Sequence, residues 1–248
     1  MPTQAEKIKG RAEHLLNGFL GLRERYAMLE PMLFDATVVD AFGAGRRSRG
    51  FGTLKIVLFL AISQEIAKLT WDDAERAPSI NNLMSALQND ALRAELRAEH
   101  AVWGTDRSPD ETDPQVKIAL ERMEAAGAAK RLDEHDAVYT QALRGWGEIQ
   151  ASPRFMAFKT IRDKVSAHTE VMYSNGEYHL LDTKALGIVW SDLRESIKLM
   201  QGMVERLGLL IRSASFAWDG FDRQLDTAYL AFWQAPADGG KTSAVAKA

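Results

Sequence analysis

The sequence predicts an all-α fold, a helical bundle of long amphipathic helices with extra helical elements. First, apolar residues recur at alternating steps of three and four along 8–33 and again along 190–211, the spacing of one helix face. Second, Asp113-Pro114 and Ser152-Pro153 are typical helix starts, because the first residue can cap and proline fits the first turn. Third, no convincing strand set and no internal repeat occurs.

The first half of the chain predicts four helices. The first carries a stripe with a stop or kink near Glu30-Pro31, because proline interrupts helical hydrogen bonding. Residues 54–69 are apolar on nearly all sides, which predicts a helix at the centre of the bundle. Ser79 can cap a short helix, and another continues to about Trp103. The first stripe comprises Ile8, Ala12, Leu15, Phe19, Leu22, Tyr26, Leu29 and Leu33.

The second half predicts further helices between two connections. A loop at 104–113 leads into a helix from Pro114 to about Ile149, with a possible break near Gly127. Residues 174–183 indicate a turn-rich connection, and 216–233 form a last helix. The seam from Trp190 to Ile211 indicates either core or a dimer surface, with core favoured.

Composition limits the function classes. With 248 residues, 46% hydrophobic, the chain can bury a full core, and we expect one domain over 1–235 and a disordered tail over 236–248. No cysteine is present, which excludes a disulfide scaffold, a thiol nucleophile and a cysteine-ligated metal. The longest apolar run, Ile56 to Ile62, is far shorter than the roughly 20 residues of a membrane span, so we expect a cytoplasmic protein without membrane contact.

A local basic patch could bind RNA even though the whole chain has a net charge of −3. Arg46, Arg47 and Arg49 stand among glycines in the segment 43–50, which is expected to be a loop. Phosphate affinity depends on locally placed lysine and arginine. A solvated, flexible connection is an equally open interpretation of the same residues.

The segment most informative about chemistry is Phe155–His168. Phe158, Ile161, Val165, His168 and Met172 share one helical stripe, with Arg162 at its edge. In a straight α-helix, Arg162 and His168 would lie about 9 Å apart along the axis and about 120° apart around it. A second copy related by a two-fold axis could bring each Arg162 near the other copy's His168. Histidine can move a proton near neutral pH, and arginine offers a fork of donors to phosphate.

The segment Arg162-Asp163-Lys164-Val165-Ser166-Ala167-His168 resembles the arginine–polar–four residues–histidine motif of HEPN proteins. The residues of this motif are most similar to those of the abortive-infection AbiU-type branch. The resemblance covers roughly residues 54–212. It implies a homodimeric ribonuclease in phage defence or toxin action, without a metal or other cofactor. It also implies a composite site in which Arg162 and His168 are catalytic and Asp163 orients them or the substrate.

The sequence therefore yields a first hypothesis, an RNA-cleaving enzyme, with two alternatives. In this first hypothesis, the RNA backbone is held with the help of five basic residues, Arg46, Arg47, Arg49, Lys159 and Lys164. An antitoxin or regulatory protein is a possible partner. The alternatives are a non-catalytic module that binds RNA or protein, and a purely structural oligomerisation protein. The remaining histidines show no ligand spacing and are interpreted as surface or packing residues: His14, His100, His135 and His179.

Overall fold

The computed structural model describes residues 2–102, 112–166, 171–174, 177–180 and 186–234. Within these residues the fold is all-α, as predicted, with one small hairpin in addition. A 3-10 turn at Gly45–Arg47 precedes the third helix, and a π-helical turn at Arg162–Ser166 follows the seventh. The helices are α1 Gln4–Phe34, α2 Ala36–Phe42, α3 Ser48–Trp71, α4 Ile80–Ala86, α5 Asp90–Ala101, α6 Pro114–Ala151, α7 Pro153–Ile161, α8 Trp190–Arg212 and α9 Trp218–Trp233.

The core forms where α1 packs on α8 and α3, where α6 packs on α8 and α5, and where α7 packs on α3. Both predicted stripes are buried here. On α1 the stripe from Ile8 to Leu29 is buried, and Leu33 is partly buried at its end. The seam on α8 is core, as favoured, although Trp190 at its start remains 39% exposed. Its buried members are Leu193, Ile197, Met200, Val204, Leu207 and Ile211.

The caps confirm two predicted helix starts, whereas the predicted break near Gly127 is wrong. The Asp113 carboxylate accepts hydrogen bonds from the backbone N–H of Gln115 and Val116, and Ser79 Oγ accepts one from Asn82. However, α1 continues through Pro31, and α6 continues through Gly127. Pro31 lies in the last turn of α1, which ends at Phe34, so the helix ends three residues beyond the predicted stop.

The arginine-rich segment is more helical than predicted, and α3 is less central. Arg46 and Arg47 lie in the 3-10 turn and Arg49 in the first turn of α3, so only the start of the 43–50 segment is a loop. In the N-terminal half of α3, Leu54, Ile56 and Val57 remain exposed by 37%, 57% and 55%. The predicted central position therefore holds only for the C-terminal half, which includes fully buried residues at 62, 66 and 67.

The exposed apolar face of α3 bears on the predicted absence of membrane contact. Among the described residues, Gly45–Trp71 is a stretch long and apolar enough, by length and composition, to cross a membrane, and 28% of its most apolar window is buried. A helix that contributes to the core of a soluble protein has the same length and composition. The cytoplasmic location therefore stays a prediction.

A hairpin occupies part of the predicted turn-rich connection. β1 (Val171–Ser174) and β2 (Glu177–Leu180) pair antiparallel, with Val171 opposite Leu180 and Ser174 opposite Glu177. The Asn175-Gly176 dipeptide between them is the sequence signal that would have predicted it, since this pair is typical of two-residue hairpin turns. The predicted loop at 104–113, apart from Thr112 and Asp113, and the predicted tail at 236–248 lie outside the described residues.

Candidate functional site

The helix that leads into the motif is anchored on α3. α7 begins at Pro153, as predicted, with Ser152 at the cap position. Its inward side chains Phe155, Phe158 and Ile161 are fully buried. The indole Nε1–H of Trp71, the last residue of α3, donates to the carbonyl oxygen of Phe155 at 3.3 Å. These contacts anchor α7 on α3 directly before the motif.

The motif itself starts a π-helical turn, Arg162–Ser166. In a π-turn each N–H bonds five residues back instead of four, which widens the helix, and such turns often occur at functional sites. The prediction of one straight stripe from Phe158 to Met172 is therefore wrong beyond Ile161, because Met172 belongs to β1. The axial and angular separation expected for Arg162 and His168 in a straight α-helix does not apply.

Arg162 is held by its neighbour in the motif. The guanidinium Nε–H donates to Asp163 Oδ1 at 2.7 Å, and the two side chains are 24% and 45% exposed. Among the described residues, Arg162 has no other hydrogen bond or ion pair. The carboxylate thus holds the inner edge of the guanidinium, and the two terminal nitrogens remain able to donate to an incoming oxyanion. This contact would let Asp163 orient Arg162, but the orienting role implied by the resemblance stays a prediction.

The other predicted residues near the motif are only partly placed. Lys159 lies on α7, with its Nζ 5.7 Å from the centre of the Trp71 ring. Lys164 lies in the π-turn, two residues after Arg162. His168 lies outside the described residues, so its predicted role in proton transfer stays a prediction.

The arginine-rich segment is far from the motif within one protomer. Since the π-turn also packs on α3, whose last residue contacts the start of α7, α7 runs back along α3. Arg49 precedes Trp71 by 22 residues, about 33 Å of helix. Arg162 follows Phe155 by seven residues, about 10 Å of helix. Arg49 and Arg162 therefore lie roughly 20 Å apart along the axis of α3. Within one protomer, Arg46, Arg47 and Arg49 do not reach Arg162.

A histidine cluster lies on another face, in a cavity of about 770 Å³ between α6 and the end of α8. His135 is 2% exposed, and its Nε2 is 3.3 Å from the carbonyl oxygen of Leu210. His100 Nδ1 is 2.9 Å from Ser213 Oγ, and the two imidazole rings are 5.4 Å apart. Burial lowers the pKa of both histidines. The packing role predicted for His135 is confirmed.

Sequence reasoning missed one group of basic side chains, those of Arg144, Lys198 and Arg206. They line a groove between α6 and α8. No local pattern could have revealed the group, because its members come from helices about 50 residues apart in the sequence, and only packing brings them together.

The described bundle is all-α and carries the Arg162-Asp163 pair at the start of a π-turn, and comparison with known families shows that it is a HEPN domain. The family model for AbiU2, a HEPN family, matches residues 5–232. The protein therefore belongs to the AbiU2 family of HEPN domains and is an abortive-infection-related HEPN domain, as the motif wording predicted. Comparisons with curated proteins and with solved structures gave no match.

Proposed function

We propose that the protein is an endoribonuclease that uses Arg162 and His168, with Asp163 as a positioning residue. The observation that carries the proposal is the Arg162 guanidinium. It is three-quarters buried at the start of a π-turn, its Nε–H is fixed by Asp163, and its terminal nitrogens have no partner among the described residues. A fixed guanidinium with unused donors is suited to a phosphate oxygen.

The chemistry balances without a metal ion or other cofactor. Neutral His168 accepts the proton of a ribose 2′-hydroxyl, and the 2′-oxygen attacks the adjacent phosphorus. The bond from phosphorus to the 5′-oxygen breaks, and that oxygen takes up a proton. The products are a 2′,3′-cyclic phosphate and a 5′-hydroxyl end. Arg162 stabilises the negative charge that accumulates on the phosphorane oxygens, the role in which fixed donors contribute most to catalysis.

The composite site would form in a homodimer, where one protomer's Arg162 meets the other's His168. Exposed apolar side chains on the N-terminal half of α3 support association. Ile56 and Val57 are each more than half exposed, and Trp190 packs its ring on Phe59 at 5.2 Å beside them. Contiguous exposed apolar surface commonly marks a protein interface. We assign this α3 face to the second copy, because the π-turn that carries Arg162 packs on the same helix.

The test is cleavage of mixed RNA in excess EDTA. Wild-type protein should produce 2′,3′-cyclic phosphate ends, and His168→Ala should produce none while keeping the wild-type circular dichroism spectrum and Tm. His14→Ala is the matched control, because His14 is exposed on α1 far along the chain from the motif. Cleavage retained by His168→Ala would exclude the assignment.

A non-catalytic RNA-binding module is the second candidate, favoured by one observation. Arg46 and Arg49 are exposed and have no acidic partner among the described residues, and Arg47 lies 5.7 Å from the Phe42 ring. This candidate predicts salt-sensitive RNA binding that is lost on replacing the three arginines, with no cleavage at any protein concentration. A role in phage defence or as a toxin, and control by an antitoxin or regulatory protein, are part of the first proposal.

A further inference from the structure

A groove between α6 and α8, the α6–α8 groove, is a cationic site on a chain with net negative charge. Its volume is about 760 Å³. Four of its charged side chains are basic and two are acidic: Arg144, Arg154, Lys198 and Arg206, with Glu148 and Glu195. The whole chain, in contrast, carries a net charge of −3. The excess of positive charge is therefore local to this groove.

Three of the four cations are not used by the fold. Arg154 on α7 pairs with Glu195 and lies 3.6 Å from Asp192. Among the described residues, Arg144, Lys198 and Arg206 have neither a hydrogen bond nor an ion pair. A cation that stabilises a fold is normally paired. Unpaired cations gathered in one concave surface retain their full capacity to bind an external anion.

Arg206 is the most informative of the three because it is partly buried. A Cβ built on Gly202 would lie 3.1 Å from Arg206 Nη1, and one built on Gly145 would lie 3.3 Å from it. The guanidinium thus lies close over the backbones of α6 and α8 at two glycines, where a larger residue would push it away. The guanidinium is therefore placed at the wall of the groove with donors available to an external acceptor such as a phosphate oxygen.

The groove lies on the path to the motif. Arg154 belongs both to the groove and to α7, whose end carries Arg162. The step of eight positions from Arg154 to Arg162 corresponds to about 12 Å along the helix, the length of about three to four stacked nucleotides at about 3.4 Å each. We propose that the α6–α8 groove binds the phosphodiester backbone of single-stranded RNA a few nucleotides away from the bond cut at Arg162. This proposal rests on the ribonuclease function.

The test measures binding separately from cleavage. A fluorescein-labelled single-stranded RNA of 20 nucleotides is titrated with His168→Ala protein by fluorescence anisotropy at several NaCl concentrations. The triple change Arg144→Gln, Lys198→Gln and Arg206→Gln is added to the same background. Each phosphate contact contributes about 0.7 to the slope of log K against log salt for single strands, so the triple variant should lose about 2 from that slope. Arg122→Gln, an exposed cation near the other end of α6, should keep the slope.

The outcomes separate this proposal from the ribonuclease function. A reduced slope in the triple variant, with wild-type Tm, supports the groove whether or not the wild-type protein cleaves RNA. An unchanged slope, or no RNA binding by the parent protein, overturns it. If the wild type cleaves RNA but the triple variant binds RNA with the same slope as its His168→Ala parent, the groove assignment fails while the ribonuclease function stands. If Arg122→Gln lowers the slope by as much per charge removed as the triple variant does, RNA binds to basic residues in general and not to the groove. That result also overturns the proposal.

Discussion

The contact between Arg162 and Asp163 allows a quantitative prediction for Asp163→Asn. The asparagine amide oxygen can still accept from the guanidinium Nε–H, but the negative charge is lost. The two side chains are 24% and 45% exposed, so solvent screens the pair, and such pairs contribute about 0.2–1 kcal/mol. At about 1.36 kcal/mol per tenfold in rate, the expected loss in kcat/KM is about 1.4- to 5-fold.

The assay compares kcat/KM for a short RNA across pH for wild type, Asp163→Asn and Arg162→Ala. Asp163→Asn should lower the whole profile by the same small factor without changing its shape, because a positioning residue does not exchange the proton. Arg162→Ala should lose at least a hundredfold, since it removes the group that stabilises the developing charge. A loss above a hundredfold in Asp163→Asn, or the disappearance of one limb of its profile, would refute the positioning role and make Asp163 a proton carrier.

Two further predictions concern stability and assembly. Because burial holds the pKa of His135 below its ordinary value of 6.5, the unfolded chain binds a proton that the folded chain does not, and stability should fall as pH drops below 6.5. Thermal unfolding between pH 7.5 and 5 checks this: His135→Gln should show a shallower fall in Tm than wild type, and an equal fall would contradict it. Ile56→Asp, at a side chain 57% exposed, should convert the proposed dimer to a monomer in light scattering and abolish cleavage with the monomer still folded. A wild-type protein that is monomeric at tens of micromolar would rule out the composite site.

The local features of the fold were predictable because they depend on residues close in the sequence. The buried stripes of α1 and α8 follow from apolar spacing, since side chains three and four apart share a helix face. The cap at Asp113 follows from side-chain chemistry alone. The HEPN class followed from one seven-residue motif, and the match to the AbiU2 family over 5–232 confirms it. Within that motif, Arg162 contacts Asp163, and the orienting role of Asp163 stays a prediction.

Periodicity failed where the backbone changed its geometry. The apolar spacing from Phe158 to Met172 fits a straight helix, yet the chain forms a π-turn at Arg162 and a strand at Val171. The spacing of apolar residues cannot reveal a change of hydrogen-bonding register, because the pattern assumes a constant number of residues per turn.

The sequence by itself determined which segments are helical, where several begin, and to which family the chain belongs. Only the tertiary structure decided which side of each helix is covered. An evenly apolar helix such as α3 has no face marked for burial, so the packing of α1 and α7 decides that Ile62 is buried and Ile56 exposed. Likewise, Arg144 and Lys198 share a groove only because α6 packs on α8. Local sequence patterns follow from the regular repeat of the helical backbone. Contacts between side chains that are distant in the sequence depend instead on which helices pack together.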